Sequence, residues 1–121
     1  MELVFSNATP EDAPALAALH GAVAERLTLE YGRGHWSSGI SEAGVLRGIS
    51  STSRVVVARN GKEIIATLRL ATKRTWPAEA LRLDAYDGPA GAGGFYDRCG
   101  FRETVKVTYR GTPLVYFELL L

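Results

Sequence analysis

The sequence is short of the residues that staple or metallate small proteins. Of its 121 residues one is cysteine, Cys99, and two are histidine, His20 and His35. A single cysteine closes no internal disulfide, and these three side chains do not readily make a four-ligand zinc set. Long hydrophobic runs are also missing, so no segment is expected to span a bilayer. The opening "MELVFSNATPEDAP" lacks the basic start and apolar stretch of a secretory signal. Charge of one sign is not in excess either: 14 Lys and Arg face 13 Asp and Glu, leaving +1. No basic cluster stands out, so neither nucleic acid nor an anionic membrane is an expected partner. The expectation is a cytoplasmic protein without a structural metal.

What is present is the composition of a folded domain: 46% hydrophobic and 22% charged residues. The length suits one domain over 1–121. "ELVFSN" reads as a short strand. "TPEDAPALAALHGAVAERLTLEYG" reads as a helix, with Thr9 as N-cap, Pro10 at its first position, and Glu11 and Asp12 at its positive end. Leu16, Leu19, Val23 and Leu27 form an apolar stripe. Gly32 and Gly34 end the helix, and "SEAGVLRGIS" predicts a second one capped by Ser41. "RVVVARNGKEIIATLRLAT" predicts a hairpin turning at Asn60-Gly61, a pair suited to a type I′ turn. "ALRLDAY" is a further strand. "GPAGAGGFYDRCGF" is a glycine-rich entry to a short helix stopped by Gly100. "RETVKVTYRGTPLVYFELLL" is a second hairpin turning over Arg110-Gly111-Thr112-Pro113. The order β-α-α-β-β-β-α-β-β predicts an α+β fold, a largely antiparallel central sheet with about three helices packed on it.

"GFYDRCGF" after a strand, with "NATPEDAPALAALH" and the "RVVVARNGKEIIATLRL" hairpin before it, resembles the GCN5-related N-acetyltransferase (GNAT) family. The likeness covers nearly the whole chain. It implies a GNAT-like fold and acyl transfer from acetyl-CoA to an amine on a small molecule or peptide. The family's (Q/R)xxGxG/A loop, which holds the CoA pyrophosphate on backbone N–H groups at a helix N-terminus, occurs nowhere in the sequence. The family has a strand, that loop and a long helix between the strands matching "IIATLRL" and "LRLDAY". Here only residues 73–80 separate them, too few for a parallel crossover. The expectation is a reduced GNAT-like fold with the missing unit between about residues 72 and 80, and "TLRLAT" and "LRLDAY" as antiparallel neighbours in one chain or through a partner.

By this resemblance Tyr96 is the general acid toward the departing thiolate, and Phe95 and Tyr96 lie against the cofactor. His35 and Trp36 lie where the acceptor substrate enters. Read from the residues alone, Tyr96 is equally a core-anchoring ring, Phe95 and Cys99 are packing residues, and Trp36 plugs the end of a small core. The family's asparagine seven residues before the tyrosine is replaced by Pro89. Candidates for a general base are His35, Glu42, Asp84 and Asp87. "GPAGAGGFY" reads as a tight turn into a helix rather than a displaced phosphate loop. Two functions follow: a GNAT-like N-acetyltransferase homologue without its pyrophosphate grip, or a non-catalytic remnant serving as a binding or interaction module. The lost unit would uncover apolar sheet, so a homodimer, with or without exchanged elements, is expected.

Overall fold

The computed structural model describes residues 2–51, 53–71 and 80–121. The elements fall in the expected order. Two compact units make up the chain, Met1–Lys73 and Arg74–Leu121.

The first unit holds strand β1 (Val4–Asn7), helix α1 (Ala13–Tyr31), helix α2 (Glu42–Ser50) and strands β2 (Arg54–Asn60) and β3 (Glu63–Leu70). Its sheet has the order β1-β2-β3, antiparallel throughout. Helix α1 starts later than expected. Thr9 caps a 3₁₀ turn over Pro10–Asp12, and α1 follows from Ala13. The turn is held from within, because the Thr9 N–H donates to the Asp12 carboxylate at 2.9 Å. Gly32, with φ 81°, ends α1. Ser41 caps α2 as expected, its hydroxyl accepting from the Gly44 N–H at 3.1 Å.

Ala13, Leu16, Val45, Val57 and Ile64 form the core of this unit, with α1 and α2 on one face of the sheet. Leu16 is 1% exposed, but Val23, expected on the same stripe, is 42% exposed, and Ala24 is buried instead. The second half of α1 also meets the turn at His35–Ser37. The Thr28 and Ser37 hydroxyls lie 2.6 Å apart there. Small residues suit that contact, whereas Leu16 fills the wider gap to the strands.

The hairpin of β2 and β3 forms, but its turn is one residue later than the Asn-Gly pair implies. Asn60 belongs to β2, and the loop is Gly61-Lys62. Gly61 alone takes positive φ, 63°, the place of glycine in a type II′ turn. A register shift at Ala58/Arg59 accompanies it and accounts for the slip, because a bulge adds one residue to one strand.

The second unit holds strand β4 (Ala80–Tyr86), helix α3 (Gly93–Arg98) and strands β5 (Arg102–Tyr109) and β6 (Thr112–Leu120). Its sheet has the order β4-β6-β5, again antiparallel. The β5–β6 turn is tighter than expected. Arg110 (φ 50°) and Gly111 (φ 80°) make it alone, and Thr112 and Pro113 already pair with Tyr109 and Thr108. Two successive positive φ angles mark a type I′ turn, whose twist matches the flanking strands. On the central strand, Glu118 lies opposite Arg82 on one side and Arg102 on the other. The Arg82 pair closes at 2.9 Å and the Arg102 pair at 3.9 Å.

Within each unit the strand partners are definite. β3 pairs with β2, and β4 pairs with β6 over its full length, Ala80↔Leu120 to Tyr86↔Leu114. The final hairpin brings β6 alongside β4 in seven register pairs. The connector over 72–79, with Trp76 and Pro77, lies outside the described residues.

Candidate functional site

The chemistry-bearing residues singled out by the sequence fall into two groups, one in each unit. Tyr96 and Phe95 stand on α3. His35 and Trp36 stand on a 3₁₀ turn, His35–Ser37, between α1 and α2.

Tyr96 is half-buried, and its ring meets three others. Phe95 and Phe101 approach edge-on at 5.5 and 5.7 Å between centroids, and Phe117 lies tilted at 5.8 Å. Phe117 is 5% exposed on the central strand. The ring of Tyr96 is thus fixed against the sheet by offset and edge contacts. Its backbone is held too: its N–H donates to the Ala92 carbonyl at 3.1 Å, and its own carbonyl accepts from Phe101 N–H at 3.0 Å. Gly100, φ 91°, makes the reversal that brings Phe101 back. No described residue hydrogen-bonds the Tyr96 hydroxyl. The ring anchors the helix to the sheet, and no described residue engages the hydroxyl.

Phe95 is 55% exposed and Cys99 is exposed, so neither is the packing residue the sequence suggested. A six-residue helix has one face to bury. Tyr96 occupies it, Phe95 beside it turns outward, and Cys99 lies just past the helix as its C-cap. Phe101 was part of the quoted signature. Phe117 had no local signal, because it meets Tyr96 only through strand pairing.

The glycine-rich segment before α3 is a packed turn. A Cβ at Gly91 would collide with the Tyr86 carbonyl oxygen. Its own N–H is taken by the Gly88 carbonyl at 3.0 Å. The glycine lets the chain fold onto the end of β4, and that N–H is spent internally. This segment does not fit a CoA pyrophosphate, which needs several free N–H groups at the start of a longer helix.

In the first unit, His35 is exposed and Trp36 is half-buried. The Trp36 ring N–H donates to the Gly32 carbonyl at 3.0 Å. A Cβ on Gly34 would come within 2.5 Å of that ring, so glycine is required for the indole to fold back over residues 32–34. Ser37 fastens the turn by accepting from the Gly34 N–H at 3.0 Å. Trp36 thus closes the end of α1 locally, and His35 projects beside it. Of the possible bases, Asp87 faces Lys106 at 3.5 Å, Glu42 sits exposed in the first turn of α2, and Asp84 is exposed on β4.

The most tightly organised carboxylate is one the sequence assigned only to a helix start. Asp12 is 9% exposed and meets Arg59 at 2.7 Å. Burial pushes its carboxyl up, but the Thr9 N–H and the Arg59 guanidinium outweigh that and hold it below the usual aspartate range. Forty-seven residues separate the pair, beyond any local sequence signal. Its position between β2 and the start of α1 makes it a structural tie.

No protein-family model matches this chain, and no curated protein matches it. Solved structures do. A GCN5-related N-acetyltransferase from Rhodopseudomonas palustris, described as "Aminotransferase, Class-II", aligns over 100% of this chain and 97% of its own. It has a TM-score of 0.77 and 18% identity. An acetyltransferase from Thermus thermophilus aligns over 100% of this chain and 98% of its own. Its TM-score is 0.63 and its identity 17%. The chain therefore has the α+β fold of GNAT-type acetyltransferases.

Proposed function

We propose that this chain is a GNAT-type N-acetyltransferase homologue, built for acyl transfer from acetyl-CoA to an amine, whose hold on acetyl-CoA is weakened. The observation that carries the first half is Tyr96: a ring fixed by Phe101 and Phe117, with a hydroxyl that no described residue engages. A phenol so placed is a general acid for a departing thiolate. Phe95, exposed beside it, offers an apolar surface to the acyl-CoA arm. The second half rests on the packed Gly91 turn and on the missing (Q/R)xxGxG/A sequence. His35 and Trp36 are proposed for the acceptor side.

Titration calorimetry with acetyl-CoA tests the weakened hold. Affinity in the range of ~1 mM is expected, worth about 4 kcal/mol; micromolar binding would overturn it. If amine acetylation is detected, Tyr96→Phe should lower its rate by roughly 10²-fold or more. A rate unchanged by that substitution would remove Tyr96 from the chemistry.

A second reading is a non-catalytic interaction module, and an apolar surface favours it. On the face of the first sheet away from α1 and α2, Phe5 (67% exposed) and Leu68 (56%) stand with Val56, Ala58 and Ala66 around a shallow depression. A second copy covering this face would give a homodimer.

A further inference from the structure

Apart from these groups, the first unit contains a cavity of about 180 Å³ between α1, α2 and the sheet. Its floor is apolar: Leu16 (1% exposed), Val45 (6%) and Val55. Gly48 of α2 leaves one wall low, since a Cβ there would meet nothing nearer than the Arg69 guanidinium at 3.9 Å. His20 and Arg69 line the same cavity and are exposed, so they form its polar rim. No acidic side chain lines it among the described residues. Arg59, Arg82 and Arg102 are each matched by a carboxylate. Arg69 has none among the described residues, and its one side-chain bond there is a long 3.5 Å contact to the Ser51 hydroxyl.

We propose that this cavity binds a small monocarboxylate, with an aliphatic chain on Leu16, Val45 and Val55 and its carboxylate on Arg69 and His20. Charge decides the class. A guanidinium offers paired N–H donors matched to a carboxylate, and the imidazole can add another. An amine would face two basic groups and no acid. Size decides the rest, because the cavity is smaller than the roughly 300–1,000 Å³ of pockets for drug-sized ligands. Binding here asks nothing of Tyr96 or of acetyl-CoA.

Hexanoate is the probe, with hexylamine as its charge-reversed match, each titrated into the full chain and followed by amide NMR. Saturable shifts at residues 44–48 with hexanoate, and none with hexylamine, are expected. Arg69→Gln, a change at an exposed side chain, should weaken hexanoate about tenfold or more. Gly48→Leu should abolish binding by filling the space. Should that variant fail to fold, Arg69→Gln still decides. Equal response to both probes, no saturation at millimolar hexanoate, or an unchanged affinity in Arg69→Gln would overturn the assignment.

Discussion

At the scale of single residues, glycine separates into kinds that composition merges. Gly111 takes φ 80° in open space, with nothing within 4 Å of where a Cβ would stand, and Gly21 lies inside α1 with equally open space. Gly111→Ala should therefore cost on the order of 1 kcal/mol or more through backbone strain alone. Gly21→Ala should instead stabilise by up to ~1 kcal/mol, because alanine loses less entropy in a helix. Opposite shifts in chemical-denaturation midpoints are the check. Asp12 gives a pH signature. Its folded pKa is depressed, so its contribution is complete above the ordinary aspartate value, about 3.9, and is lost as pH falls through the lower folded value. Asp12→Asn should be less stable than the parent at neutral pH. The difference should vanish in acid, as followed by circular dichroism.

At the scale of elements, Leu16 is where one helix depends most on the sheet. Its side chain is 1% exposed within the cluster of Val45, Val57 and Ile64. Leu16→Ala should cost ~2–5 kcal/mol, a large share of what a small core supplies. Urea denaturation measures it. Helix ends were legible in the residues, because Ser41 and Gly32 act locally through their own hydrogen bonds and dihedral angles. Hairpins were legible too, but their turns were not placed to the residue. The bulge at Ala58/Arg59 and the short Arg110-Gly111 turn are settled by pairing across strands.

At the scale of the molecule, two three-stranded antiparallel sheets each present edges and faces to be covered. The exposed Phe5 and Leu68 face leads to a definite expectation: sedimentation at high concentration should show a dimer, and Leu68→Glu should shift it to monomer without loss of helix signal. A monomeric parent would count against the interaction reading. The same fold places Tyr96 against Phe117, which stands on a strand beyond the whole of β5. The candidate acid is therefore held by β6 as well as by α3. The Arg82–Glu118–Arg102 line across β4, β6 and β5 ties those strands in one register, by charge as well as by backbone.

The sequence by itself determined the order of elements, the α+β class, the caps at Gly32 and Ser41, and the "GFYDRCGF" segment with its tyrosine. It also determined that no (Q/R)xxGxG/A pattern occurs. These are local matters of spacing, capping and residue type. Tertiary structure alone decided that β4 pairs with β6 along its full length, and that Asp12 meets Arg59. It alone showed that Phe95 and Cys99 face outward, and that Arg69 and His20 rim an apolar cavity. The reason is common to all four. Each depends on which distant segment arrives beside a residue, and that is set by the summed burial and hydrogen bonding of whole elements.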